Sequence, residues 1–531
     1  MSHPVRHCLL AFILLLISAW SSAQAAQLSE SDVRLYRAAF AAAKSGNWTA
    51  AWRDAGAAQD KLPGVALRWQ QLSEGAGDVS FSDYIAFING HPNWPSPILL
   101  RERAEGQLTG APDDAVEAWF ADHPPVTVAG RLREADLWLA HGRRAEADEL
   151  IRKVWVESDF DRVTARSMRQ RYHGVLRTVD DEARLARLLW SGQTEEAKRL
   201  LPHVPPAYQA LGEARLALAA LAPGAERLLS RVPAALQRDP GLAYERLRWR
   251  RRKEHYDDAI ALLRSLPRER EHPAAWAVER QILARYALAQ GKPALAYRIA
   301  ARNELTSGAN FAELEFLAGW TALRFLHQPH TAYDHFVRLY DAATLPISIA
   351  RGAYWAARAA EAMNYRQLAE SWYDTAAKRI TTYYGQLAAA HIGMDVTPAL
   401  LAEPVPRPDE IRAFNGRDLV RVTHDLAEIG ADDLLRPFLR RLSDMAVTPA
   451  DHELVARLAL EIERPDLAVA AAKSASYHGI VLLAEGYPLT ALPSGGSVER
   501  PLLLAMTRQE SAFDETAVSR AGARGLMQLL P

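Results

Sequence analysis

The sequence predicts an all-α protein, with an α-superhelical array (a solenoid) of paired antiparallel helices followed by a smaller helical region. Two observations predict this fold class. From about Ser29 to Ile392, apolar residues recur with helical period, and segments of alternating β-branched residues are almost absent. Gly, Pro and Asn interrupt this pattern at short intervals, after which the helical period resumes. Because one helix pair cannot bury its apolar face alone, we expect the pairs to stack side by side.

Residues 1–25 have the features of a cleaved secretory signal peptide. Arg6 supplies the positive charge, and the apolar run Cys8–Trp20 is short for a membrane span. A small-x-small cleavage site occupies residues 23–25. We therefore expect export, with no transmembrane anchor after signal cleavage; the alternative is an uncleaved anchor.

Composition excludes several function classes. The 531 residues include 63 Lys and Arg against 64 Asp and Glu, which gives a net charge of −1. This net charge favours binding to neither nucleic acid nor an anionic membrane. The single cysteine, Cys8, lies in the signal peptide, which excludes disulfides and cysteine nucleophiles from residues 26–531. His327 and His330 lack further ligands around them, and nucleotide-binding motifs are absent. We expect no metal and no cofactor.

The predicted superhelical domain spans residues 26–395. At least four segments in it share one template, in which a bulky apolar stripe is followed by a turn residue and a second helix with small residues at packing positions. The predicted turn residues are Gly142, Gly192, Gly291 and Asn364. Their irregular spacing argues against a strict sequence repeat.

A proline-rich linker and a second helical region follow. Residues 396–408 contain four prolines and cannot form one continuous helix. Within residues 409–496, short amphipathic segments predict helices at Leu419–Ile429, Asp432–Leu442 and Pro449–Ile462. A second break, at residues 487–496, separates them from the final segment, residues 497–531.

The final segment contains a candidate general acid. Pro501 suits the first turn of a helix that ends near Ser511. Leu503, Met506 and Glu510 lie at positions i, i+3 and i+7, so we expect Glu510 to continue an apolar stripe. A partly desolvated carboxylate at a helix C-terminus is the kind of group that general acid catalysis requires. The alternative is an ordinary surface glutamate at a frayed helix end.

The residues after this helix are rich in glycine. Gly522 and Gly525 permit tight turns that can bring the polar side chains of Ser519 and Gln528 back beside Glu510.

Two motifs in this segment resemble the start of the catalytic domain of the soluble lytic murein transglycosylases. They are RQESAF at Arg508–Phe513 and SxxGAxGLMQ at Ser519–Gln528, with nine residues from Glu510 to the serine and eighteen to the glutamine. That family has a ring-forming helical superhelix, a helical linker domain and a lysozyme-like domain. The resemblance implies that residues 497–531 are the N-terminal part of a lysozyme-like domain.

The resemblance also implies a reaction and a set of site residues. Glu510 would act first as acid and then as base in cleaving the MurNAc–GlcNAc β-1,4 bond of peptidoglycan, leaving 1,6-anhydro-MurNAc ends. Asp514 and Glu515 are interpreted as solvated turn residues. By the family pattern, the substrate-binding residues are Ser519, Met527 and Gln528, and the structural support comes from Ser511, Gly522 and Gly525.

The same resemblance raises one expectation about activity. The sequence ends at Pro531, before the family's third motif (AxxYN), so we expect the 531-residue polypeptide to be inactive or nearly so. The expected location is the periplasm. The expected partners are peptidoglycan glycan strands, and cell-wall synthesis or remodelling proteins are further candidates; no nucleic acid partner is expected. The alternative function is a non-catalytic periplasmic scaffold that binds glycan strands or protein partners.

Overall fold

A computed structural model describes residues 28–267, 271–491 and 498–531 of the chain. The described residues form helices joined by short turns and contain no strand; two isolated β-bridges lie near the C-terminus. The predicted signal peptide, residues 1–25, lies outside the described residues.

Contacts divide the described chain into two compact units. Unit 1 comprises residues 28–107 and 400–531, and unit 2 comprises residues 108–399. The domain boundaries expected from the sequence stay predictions.

The helices of unit 1 come from both parts of the chain that build it. The first five are α1 Glu30–Lys44, α2 Trp48–Ala57, α3 Leu62–Glu74, α4 Phe81–Gly90 and α5 Pro97–Glu105. The helices of unit 2 are α6 Asp113–Asp122, α7 Val128–Ala140, α8 Arg144–Glu157, α9 Arg162–Arg171, α10 Thr178–Trp190, α11 Thr194–Leu200, α12 Pro206–Ala219, α13 Ala225–Leu229, α14 Pro240–Arg252, α15 Tyr256–Ser265, α16 Pro273–Ala289, α17 Pro293–Ala301, α18 Ala309–Arg324, α19 Pro329–Ala342, α20 Pro346–Ala362, α21 Arg366–Ala377 and α22 Tyr383–His391.

The remaining helices begin in the proline-rich linker. They are α23 Thr397–Leu401, at the boundary of the two units, and α24 Pro408–Asn415, α25 Asp418–Ile429, α26 Leu435–Met445, α27 Pro449–Glu461, α28 Pro465–Tyr477, α29 Leu483–Gly486 and α30 Arg500–Glu510 in unit 1. Three 3-10 turns accompany them at Leu201–His203, Ala234–Leu236 and Asp432–Leu434. The linker is broken after its short helix, as its prolines predict.

The turns predicted in the helix pairs of unit 2 are confirmed. Gly142, Gly192, Gly291 and Asn364 each lie between two consecutive helices and have positive φ angles of 77°, 74°, 68° and 63°. A left-handed residue directly after a helix lets the chain reverse within a few residues, and glycine and asparagine adopt this conformation at the lowest cost.

Gly142 gives a direct test of this backbone requirement. A Cβ atom at Gly142 would meet no atom within 4 Å, so Gly142→Ala changes the backbone preference alone. We expect it to lower the free energy of unfolding by about 1 kcal/mol in chemical denaturation. Gly174 has the same open surroundings but no positive φ angle, so Gly174→Ala is the matched control and should not destabilise. Equal losses in both variants would contradict the argument.

Small residues allow the helices of unit 2 to pack closely. A Cβ atom at Gly319 in α18 would lie 2.7 Å from the Phe336 ring in α19, and one at Gly352 in α20 would lie 2.9 Å from the backbone nitrogen of Tyr340. Phe336 is fully buried. On α20, the alanines that face neighbouring helices are fully buried: Ala350, Ala353, Ala356, Ala357, Ala359 and Ala360. This agrees with the small residues that the sequence template places at packing positions.

Unit 1 is held together by contacts between its two chain segments. The ring of Phe438 in α26 lies edge-on to Trp69 and Trp94, with centroids 5.1 and 5.4 Å apart. Arg37 in α1 donates from Nε to the carbonyl of Ile429 at the end of α25, over 3.1 Å. The N-terminal helices therefore pack on helices that lie more than 300 residues later in the sequence.

A buried carboxyl group in unit 1 makes stability depend on pH. Asp425 in α25 is 4% exposed, and burial raises the pKa of its carboxyl to about 7, with Asp60 and Glu428 adding repulsion and Arg421 opposing it. Because this folded-state pKa exceeds the unfolded value, the folded state binds the extra proton, and stability is lost as pH rises from about 4 to 7.

We expect Asp425→Asn to flatten this part of the stability curve. At pH 8 the variant should unfold with a free energy roughly 2 kcal/mol higher than the wild type, measured by urea denaturation across pH. Asp444, an exposed aspartate of α26, provides the control substitution Asp444→Asn. An unchanged slope in Asp425→Asn would contradict this prediction.

Candidate active site

The candidate acid, Glu510, is the last residue of α30. Pro501 lies in the first turn of this helix, as predicted, and the chain leaves it at Ser511, whose hydroxyl donates to the carbonyl of Thr507 over 3.1 Å. Ala512 and Phe513 then have positive φ angles of 52° and 69°, which turn the chain back. Glu510 thus occupies a helix end followed by a sharp reversal.

The expectation that Glu510 continues a buried apolar stripe is wrong. Of the three residues of the predicted stripe, Leu503 is half-buried, but Met506 is 43% exposed and Glu510 is exposed. The described chain therefore leaves the C-terminal end of this face uncovered, and the Glu510 carboxylate forms no hydrogen bond or ion pair with it. The period of apolar residues identified a helix face correctly but could not show whether another element covers it.

The glycine-rich segment after α30 folds into a compact turn. Gly522 and Gly525 have φ angles of 86° and 70°. Two isolated antiparallel β-bridges pair Val518 with Arg524 and Arg524 with Leu529. Glycine adopts these φ angles at less cost than residues with a side chain, so both positions favour this turn.

Ser519 and Gln528 contribute their side chains to this turn. The hydroxyl of Ser519 accepts a hydrogen bond from the backbone N–H of Ala523 over 3.0 Å. The side-chain amide of Gln528 donates to the carbonyls of Ala517 and Gly525, over 3.1 and 2.9 Å. Both candidate residues therefore stabilise the turn, and in the described structure neither forms a hydrogen bond with Glu510.

Met527 connects the turn to the helix that carries Glu510. The hydroxyl of Thr507 donates to Met527 Sδ over 3.4 Å, and Thr507 is 1% exposed. Thr507 lies one helical turn before Glu510. This contact fixes the turn beside the end of α30.

Two arginines attach the segment to the preceding helices of unit 1. Arg508 Nε donates to the Gly486 carbonyl over 2.6 Å, and its guanidinium lies 4.1 Å from the centroid of the Tyr487 ring. Arg436 in α26 donates to Asp514 over 3.2 Å. The pKa of Asp514 is lowered overall: burial acts against the shift, and the hydrogen bonds from Thr516 and the charge of Arg436 outweigh it.

Asp514 thus lies in the turn as expected but is half-buried and ion-paired instead of fully solvated, whereas Glu515 is exposed as expected. Sequence analysis also missed the packing roles of Thr507 and Phe513, which are both buried. Phe513 is the last residue of the RQESAF motif, and a large apolar residue between two polar turns was the available signal.

Residues 493–531 match the family model described as the Transglycosylase SLT domain. This segment is therefore similar to transglycosylase SLT domains. The match contains Glu510, Ser519, Met527 and Gln528, and it supports the resemblance drawn from the two motifs. No curated protein matches the sequence significantly.

The fold of the chain is similar to those of solved lytic transglycosylases. An inactive glutamate-to-glutamine mutant of the lytic transglycosylase Slt from Pseudomonas aeruginosa aligns with a TM-score of 0.70 and 19% identity, covering 94% of this chain and 80% of that chain. The 70 kDa soluble lytic transglycosylase SLT70 from Escherichia coli aligns with a TM-score of 0.54 and 17% identity, with the same coverage.

A 70-kDa soluble lytic transglycosylase in complex with bulgecin A aligns with a TM-score of 0.54 and 16% identity, covering 95% of this chain and 81% of that chain. At these identities the likeness concerns the fold. Together with the helices of the described residues, it confirms the predicted all-α superhelical fold class. In the described ranges, no helix combines the length and apolar character that crossing a membrane requires.

Proposed function

We propose that the protein is a periplasmic lytic transglycosylase that cleaves the MurNAc–GlcNAc β-1,4 bond of peptidoglycan glycan strands. The observation that carries this proposal is the transglycosylase SLT match over residues 493–531, which holds Glu510, Ser519 and Gln528 at the spacing of both motifs. No cofactor or metal takes part in the proposed reaction.

In the proposed mechanism, Glu510 donates one proton and later accepts another. Its carboxyl group first donates a proton to the bridging oxygen as the bond from this oxygen to C1 of MurNAc breaks. The resulting carboxylate then takes the proton of the MurNAc C6 hydroxyl while O6 bonds to C1. The product is a 1,6-anhydro end, the acid is restored, and no water is consumed. The inactive glutamate-to-glutamine mutant of the similar Pseudomonas aeruginosa protein supports a role for one glutamate.

The other site residues have proposed roles of two kinds. Met527 is partly exposed beside the end of α30 and is proposed to contact the sugar. Ser519 and Gln528 are proposed to hold the turn in the shape that the glycan strand requires, because their side chains bond to its backbone. Ser511, Gly522 and Gly525 support the helix end and the turn.

Gln528 provides a test of this positioning role. Gln528→Ala removes two hydrogen bonds to backbone carbonyls, and we expect kcat/KM on glycan strands to fall about tenfold. Gln386 is an exposed glutamine of α22, outside the SLT match, so Gln386→Ala is the control and should retain full activity. An unchanged kcat/KM for Gln528→Ala would contradict the role of this side chain.

The exposure of Glu510 favours a second proposal about activity. A general acid works in a positioned, water-excluded site, and the described residues leave this carboxylate in water without a partner. We propose that the 531-residue polypeptide by itself is inactive or nearly so. Its function would then be that of a helical scaffold that binds glycan strands.

Digestion of isolated sacculi separates the two functions. The native protein, as the cell makes it, is incubated with sacculi, and the released material and the sedimented protein are both quantified. Release of muropeptides with 1,6-anhydro ends supports the enzyme, and cosedimentation without release supports the scaffold. Release of muropeptides with free reducing ends only would contradict the proposed reaction.

A further inference from the structure

Unit 2 contains a cavity of about 390 Å³ that the proposed reaction does not use. Its walls come from α8, α9, α10 and α11 and from the loop between α8 and α9. The lining is rich in arginine and has an aromatic floor: Trp155, Phe160, Arg162, Arg166, Arg184 and Arg199 are among its residues.

One of these arginines is a buried cation without a direct salt bridge. Arg184 is 3% exposed, and its guanidinium lies 4.5 Å from the ring centroids of both Trp155 and Phe160. Its Nη1 donates to the carbonyls of Trp155 and Ser158, the latter over 2.9 Å, and within the described chain it forms no salt bridge. Buried charges are ordinarily paired, whereas this cation interacts with the carboxylates of Asp159 and Asp181 only without direct contact, so it keeps positive charge beside the cavity.

Two other arginines of the lining are already neutralised. Arg169 makes two hydrogen bonds to the carboxylate of Asp181, over 2.7 and 3.1 Å. Arg199 is paired with Glu196 one turn earlier in α11. These pairs contribute no net charge for a ligand.

The rim of the cavity carries further unpaired positive charge. Arg162 and Arg166 lie one turn apart on α9, and both are exposed, with no hydrogen bond or ion pair in the described structure. The carboxylate of Asp161 on this rim accepts a hydrogen bond from the backbone of Thr164, at the start of α9. Burial lowers the pKa of His203, so this side chain adds no charge at neutral pH.

We propose that this cavity binds the carboxylates of a peptidoglycan stem peptide, with Arg162, Arg166 and Arg184 as the binding residues. Guanidinium groups pair with carboxylates through two parallel hydrogen bonds, and three unpaired guanidinium groups suit a ligand with several carboxylates. The choice of peptide rests on the proposed function, since stem peptides are the anionic parts of peptidoglycan.

Isothermal titration calorimetry with the native protein tests this site. The probes are a free stem pentapeptide with its carboxylates, the same peptide with every carboxylate amidated, and inorganic phosphate. We expect the free peptide to bind, and the amidated peptide and phosphate to bind at least tenfold more weakly. Added salt should lower the affinity for the free peptide.

Substitutions at the exposed arginines locate the binding. The double variant Arg162→Gln with Arg166→Gln should bind the free peptide at least tenfold more weakly, with an unchanged thermal unfolding temperature. Two exposed arginines of the same unit, Arg238 and Arg264, form no hydrogen bond or ion pair with the described residues. The control pair is therefore Arg238→Gln with Arg264→Gln, which should bind the free peptide as the wild type does.

The inference is overturned if the free peptide does not bind, if the amidated peptide or phosphate binds equally well, or if the double variant at α9 binds as tightly as the wild type. Its failure is distinguishable from failure of the proposed function, because binding is measured without cleavage. Release of 1,6-anhydro ends without peptide binding refutes this inference alone, and peptide binding without such release refutes the proposed reaction alone.

Discussion

Replacing Glu510 by glutamine is expected to lower the rate of 1,6-anhydro product formation by the native protein at least about 10³-fold, because the same group is proposed to donate and then accept the proton. Glutamine has nearly the same shape but cannot release a proton to the bridging oxygen. Glu510 is exposed and has no partner among the described residues, so the substitution should leave the thermal unfolding temperature unchanged. The measurement is chromatography and mass spectrometry of products released from sacculi.

The control for Glu510 is its acidic neighbour. Glu515 is exposed, lies in the turn after α30 and carries the same charge, so Glu515→Gln should retain wild-type activity. Product formation by Glu510→Gln at the wild-type rate would remove Glu510 from the mechanism. Loss of activity in both variants would show that the local charge, and not one carboxyl group, is required.

The second large effect concerns stability. Phe438 is fully buried and packs edge-on against Trp69 and Trp94, which belong to the other chain segment of unit 1. We expect Phe438→Ala to lower the free energy of unfolding by about 4 kcal/mol, because the substitution leaves a cavity and removes two aromatic contacts. Chemical denaturation followed by tryptophan fluorescence measures this loss.

Val447 provides the control for this substitution. It lies shortly after α26, near Phe438 in sequence, and is 84% exposed, so Val447→Ala should change stability by less than about 0.5 kcal/mol. A loss below about 1 kcal/mol in Phe438→Ala would contradict the view that this ring joins the two chain segments.

The elements of unit 2 were predictable because their signals are local. A helix pair requires a left-handed residue at its turn, and the glycines at 142, 192 and 291 and the asparagine at 364 are the residue types that supply it. The helix that ends at Glu510 was predictable for the same reason, since Pro501 marks its first turn.

What the sequence could not predict depends on contacts between distant segments. An apolar stripe shows that a helix face is suited to burial, but not which element covers it. This explains both the unexpected packing of Trp69 against Phe438 and the wrong expectation for the burial of Glu510. Likewise, the family resemblance pointed to Ser519 and Gln528, but only the folded structure reveals that their side chains form hydrogen bonds with the backbone of the turn.

The most direct test of the proposed reaction is the mass of the sugar ends that the native protein releases from sacculi in water enriched in oxygen-18. If O6 of MurNAc closes on C1, the released ends are one water lighter than reducing ends and contain no oxygen-18. This is the result that the proposal predicts. Reducing ends that carry one oxygen-18 atom would show attack by water and would contradict it.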